Sequence, residues 1–229
     1  QFNGWFMFAV LAVFMHQFSV DDQALFKRFF NTLIAATILT FTLPVSWFAF
    51  YPLLLWINGL GVVLQLLSGY YFILLLKPHW PNFWSGISNL TKAMYTLALA
   101  SFILKIILQS ASIVPQVAEM AHQYRNFVIG FIHLMMLGVI SGFLFAFLLQ
   151  HYPKSKNTKS LSFGIYTFIL GFVSTEVLLI LQGVYYFLGL GMLPYYYLIL
   201  LVCSIFLPLG ILFFILNLKN YDTKTFKTT

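Results

Sequence analysis

The sequence predicts an all-α, polytopic membrane helix bundle, and three observations carry that prediction. The chain is 61% hydrophobic and only 7% charged, so a soluble domain of 229 residues would lack the polar groups to cover its surface. Its mean hydropathy is +0.92, far on the apolar side. Apolar stretches recur at the length of a membrane span, about 20 residues for a hydrocarbon core about 30 Å thick at about 1.5 Å per residue.

Seven transmembrane helices are expected, at 4–20, 32–50, 53–76, 88–109, 126–150, 161–188 and 194–218. The first starts at Trp5 and ends at His16 and Gln17, and the chain opens at Gln1 without an initiator methionine, so processing or truncation upstream is expected. Lys27 and Arg28 follow the first span and Lys77 the third. Lys154, Lys156 and Lys159 follow the fifth, and Lys219, Lys224 and Lys227 the seventh. Alternating spans put all these on one side, with Arg125 the sole basic residue in the opposite connectors. The positive-inside rule then sets the N-terminus outside and the C-terminus in the cytoplasm. Trp47, Trp56, Trp80, Trp84 and the run Tyr195, Tyr196, Tyr197 stand near span ends, where aromatic rings settle at head-group level.

Residues 1–218 read as one bundle and 219–229 as a polar cytoplasmic tail. The longest outer connector, Ser110–Arg125, contains Pro115, which breaks the fourth span, and VAEMAHQ, which reads as a short helix along the membrane surface. Cys203, the lone cysteine, suits a small buried apolar position. The net charge of +7 reads as topology and contact with anionic head groups. The partners expected are therefore the lipid bilayer and other membrane subunits, in a bacterial inner membrane. Nucleic acid is not expected, since no soluble basic face is present.

Polar residues inside the spans are the candidate ligand-binding groups. Glu176 is the only acidic residue in any span and falls near its midpoint. An ionised carboxylate there costs at least about 2.5 kcal/mol, so it must pair, be protonated or face water. A proton or cation site and a protonated interhelical hydrogen bond explain it equally. Ser101, Lys105 and Gln109 share one face of the fourth span. Lys105 either snorkels to the outer head groups, the simpler reading, or faces an outward polar chamber. Asn58, Gly61, Gln65 and Ser68 form a second stripe that must look into the bundle, as interhelical glue or as a pathway lining. Gln182, like Asn58, falls in the outer half of its span, where an outward-opening chamber would satisfy several such groups at once.

His133, in the fifth span, is the leading metal candidate, with Met136 at i+3 and His122 in the preceding outer segment. Imidazole nitrogen and thioether sulfur favour copper or heme iron over magnesium or calcium. A histidine hydrogen-bonded to a neighbouring helix is the plainer reading. Gly138 and Gly142 form a G-x-x-x-G pair in the same span, and α-helical angles turn His133 away from that seam. No H-E-x-x-H, G-x-S-x-G, P-loop, G-x-G-x-x-G or paired-cysteine motif is present.

The stretch Gly130–Phe131–Ile132–His133–Leu134–Met135–Met136–Leu137–Gly138 is similar to the histidine-bearing helices of the heme–copper oxidase superfamily and of NnrS-type membrane proteins. The opening Gln1–Phe2–Asn3–Gly4–Trp5 and the pair Arg125–Asn126 resemble bacterial multi-pass proteins of the same kind. The resemblance implies heme or copper held by intramembrane histidines, and His133 is the only residue it carries over. The chain departs from the family in lacking several histidines on different helices. Three functions follow as expectations: a heme- or copper-binding site around His133, a transporter or channel using Glu176, Gln65 and Lys105, and a non-catalytic subunit of a membrane complex.

Overall fold

The computed structural model describes residues 2–18, 22–49, 51–151 and 158–225. Among them every regular element is a helix. The order is a five-residue segment of i→i+5 turns (Phe2–Phe6), α1 (Met7–His16), α2 (Gln23–Thr40), α3 (Thr42–Ser46), α4 (Pro52–Leu76), α5 (Trp80–Gly86) and α6 (Asn89–Ala111). It continues with α7 (Pro115–Gln123), α8 (Arg125–His133), a second i→i+5 segment (Leu134–Ser141), α9 (Gly142–His151), α10 (Thr158–Phe187) and α11 (Tyr196–Thr225).

Six helical stretches among the described residues are long and apolar enough to cross a membrane: Gln23–Ser46, Pro52–Leu76, Asn89–Ala111, Arg125–His151, Lys159–Phe187 and Tyr196–Asn217. The remaining apolar helix, Gly4–His16, is about 20 Å long at about 1.5 Å per residue, short of the roughly 30 Å core. Residues 19 and 20 of the expected first span lie outside the described residues, as do Lys154, Lys156 and Lys227 of the orientation signal.

The second span begins earlier than 32 because α2 is capped upstream of Lys27 and Arg28. The Asp22 carboxylate accepts from Leu25 N at 2.8 Å, satisfying a free donor of the first turn. Prolines open α4 and α7, where a missing N–H costs nothing. The expected surface helix is α7, while α5 is a short helix that the hydropathy pattern did not predict. Hydroxyls within the spans are satisfied by their own helices: Thr37 donates to Leu33 O at 2.8 Å and Thr175 to Gly171 O at 2.8 Å. Past α10 the backbone turns through Gly189 and Gly191, at φ +71° and +78°, a left-handed conformation that only glycine adopts without strain. Helix α11 contains Pro208 and continues through Thr225.

The chain divides into two compact units, Gln1–Ile87 with Ala100–Gln123, and Ser88–Leu99 with Tyr124–Thr229. In the first, α2 and α4 pack backbone to backbone at Gly61, where an added Cβ would meet Leu39 Cβ and Thr40 N at 2.8 Å. The Phe29 and Phe72 rings fill the adjoining space at 5.6 Å. In the second, α10 and α11 meet at Gly164, Gly171 and Gly210; a Cβ on Gly210 would lie 2.7 Å from Phe168 N. Phe145 packs against Phe168 at 4.9 Å and Phe214 at 4.6 Å. Small residues let helix backbones approach in both units, which compensates for the weak hydrophobic drive between helices in lipid.

Candidate functional site

In the second unit, the face of α8 bearing Phe127, Gly130 and His133 meets the face of α10 bearing Glu176, Leu179 and Gly183. The phenyl of Phe127 occupies the place a Gly183 side chain would take, 2.8 Å from its ideal Cβ. Gly130 leaves room for the carboxylate, with Glu176 Oε1 3.4 Å and Leu179 Cβ 3.8 Å from its ideal Cβ. This close approach brings His133 Nδ1 to 3.5 Å from Glu176 Oε2. The two side chains are 29% and 8% exposed, so the carboxylate has little solvent to lean on. Neither Nδ1 nor Oε2 has an aligned hydrogen bond, so the contact is an ion-pair distance without hydrogen-bond geometry. The pair therefore has two basic atoms facing each other and a natural place for one shared proton.

His133 ends α8, and the chain then runs in i→i+5 turns from Leu134 to Ser141. Ser141 Oγ donates to Met136 O at 2.9 Å within that widened stretch. Such turns are rare and occur often at functional sites. They begin directly after His133, so α-helical counting does not carry from His133 to Met136 or to the Gly138–Gly142 seam. Gly142 itself packs on α6, with its ideal Cβ 3.4 Å from Ala98 Cβ.

Gln182 has a structural use. Its fully buried amide donates to Gly191 O at 3.2 Å and accepts from Leu193 N at 2.9 Å, bracing the loop after α10.

The remaining candidates belong to the first unit. Ser101, Lys105 and Gln109 are all buried, at 4%, 7% and 7% exposure, as their shared helix face predicts. Lys105 therefore does not snorkel. With Gln65 and Ser68 it lines a cavity of about 20 Å³, room for about one water-sized sphere. Asn58 is apart from that lining: its Nδ2 donates to Ser112 Oγ at 3.2 Å, and Ser112 Oγ donates to Gln109 O at 2.6 Å. His122 lies against the Trp47 ring at a centroid distance of 5.4 Å.

Sequence reasoning named His133 and Glu176 separately and did not pair them. The signal was there in the glycines: Gly130 stands three residues before His133, and Gly183 seven after Glu176 on the same face. Among the described residues no group of three or more His, Cys, Asp or Glu side chains is placed to share a metal ion. The donor set fits one axial imidazole and falls short of the several histidines a heme–copper centre uses. No family model matches the chain, and neither does any curated protein or solved structure.

Proposed function

We propose that this integral membrane protein takes up and passes protons at the His133–Glu176 pair, as part of proton-coupled transport across a bacterial inner membrane. The reading rests on one observation, an imidazole and a carboxylate 3.5 Å apart within two membrane-spanning helices. A lone carboxylate in a span is costly, and intramembrane carboxyl and histidine chains are the ordinary material of proton relays. The seven-span topology with its N-terminus outside and C-terminus in the cytoplasm belongs to the same proposal, on the one-sided distribution of lysines. Glu176 is the carrier in this reading.

Reconstitution into vesicles with an entrapped pH-sensitive dye tests this. Imposed pH gradients should collapse faster with the protein, and Glu176→Gln should abolish the effect while the purified chain still elutes as one species. In infrared spectra, a pH-dependent carboxyl C=O band should vanish in the same variant. Equal proton flux with Glu176→Gln would sink the proposal, and no flux in either protein would favour the non-catalytic subunit reading.

A second reading has one observation in its favour. Metal-bound histidines usually direct their other ring nitrogen at a carboxylate, and His133 Nδ1 faces Glu176 in that way. His133 Nε2 would then ligate heme or copper, with Met136 of the same helical stretch as a further donor. Metal analysis and a visible spectrum of the purified protein decide this; a Soret band lost in His133→Ala supports it.

A further inference from the structure

Lys105 in the first unit is an unusual group: a buried lysine paired with no described carboxylate. It is 7% exposed, and no described residue forms an ion pair or hydrogen bond with it. The cavity it lines also carries Gln65, 7% exposed, and Ser68, 1% exposed. Ser68 Oγ is fully buried without a hydrogen-bond partner, and the Gln65 amide is bonded to no described residue. The other hydroxyls on the wall are spent, since Thr37 donates to Leu33 O at 2.8 Å and Thr40 to Thr37 O at 3.3 Å. The rest of the lining is apolar, including Phe29, Phe72 and Phe102.

The unspent groups can each turn a donor to the cavity: the Lys105 ammonium only donates, while the Gln65 amide and the Ser68 hydroxyl can donate as well as accept, and buried polar groups are normally satisfied. Positive charge in an apolar enclosure is compensated by an opposite charge, which no lining residue supplies. The space is small, about 20 Å³, which suits a small ion better than a large one.

We propose that Lys105, Gln65 and Ser68 form a binding site for a single monatomic anion, chloride in the cell. The ammonium supplies the charge, and the hydroxyl and amide supply directed donors in a site dry enough for each to count. This goes beyond the proton pair and stands on different residues.

Equilibrium binding of radioactive chloride to the full chain, purified in detergent and gluconate buffer, tests the site. Saturable binding at one ion per chain is expected, displaced by bromide and not by sulfate. Lys105→Met, close in length and uncharged, should weaken binding at least about tenfold, and Ser68→Ala by a few-fold, about threefold. Should Lys105→Met fail to fold, Ser68→Ala and the bromide–sulfate contrast carry the decision. Absence of saturable binding to a folded chain, equal displacement by sulfate, or wild-type affinity in the substituted proteins would each overturn the proposal.

Discussion

Both units hold an ionisable group in the membrane, and they compensate it in opposite ways. In the second, Glu176 meets an imidazole 3.5 Å away, so its partner lies within the chain. In the first, Lys105 is equally buried among neutral polar groups and apolar walls, with no described carboxylate beside it. A charge partnered inside a protein is suited to switching, whereas an unpartnered one is suited to binding. The difference follows from composition. Glu176 is the only acidic residue within a described span, which leaves no carboxylate for Lys105.

The sharpest way to break this contrast is to remove one member from each unit. His133→Leu leaves the Glu176 carboxylate alone and should destabilise by about 3 kcal/mol, the low end for a broken buried pair because the imidazole is 29% exposed. Adding Glu176→Gln to it should recover most of that loss, and a double-mutant cycle in denaturant measures the coupling. Lys105→Met in chloride-free buffer should instead be neutral or stabilising. Destabilisation there would mean that Lys105 has a partner inside the chain.

Next in size are the close backbone crossings, where the units should respond alike. Gly210→Ala and Gly61→Ala each force a Cβ to within 2.8 Å of a neighbouring helix and should cost about 2 kcal/mol through overpacking. Gly59→Ala, with nothing within 4 Å of the new carbon, should change the thermal midpoint little or raise it. A smaller loss, about 1–2 kcal/mol, is expected from Gln182→Ala, which frees the loop at Gly191 and Leu193. Hydrogen exchange should rise locally in that loop. Smallest is Asn58→Ala, which removes one bond to Ser112 and should cost about 0.6 kcal/mol, a typical value between membrane helices. A thermal shift larger than that of Gln182→Ala would show that Asn58 does more than join two helices.

Much of the architecture was legible because it depends on local chemistry. The stripe Asn58–Gln65–Ser68 is buried as its spacing required, since a polar side chain facing lipid has no partner, whereas the burial of Lys105 ran against the simpler reading of a snorkelling side chain. Span lengths were less legible. Within the first expected span, 4–20, the apolar helix covers Gly4–His16, and α2 begins where Asp22 caps it, upstream of the expected 32. The i→i+5 turns of Leu134–Ser141 leave no mark in a hydropathy pattern. They depend on how α8 and the helices around it pack.

Sequence alone determined that this chain is helical and membrane-embedded, because a backbone in lipid must satisfy its own hydrogen bonds and an apolar surface must find an apolar medium. It also determined which polar residues turn inward, because helical periodicity and the cost of exposing them to lipid act residue by residue. Only the tertiary structure decided which of those residues meet. Glu176 approaches His133 because Gly130 and Gly183 let α8 and α10 close on each other, and Lys105 meets Gln65 and Ser68 across a cavity bounded by other helices. Those meetings are set by the crossing of backbones distant in sequence, a property of packing that no single helix carries.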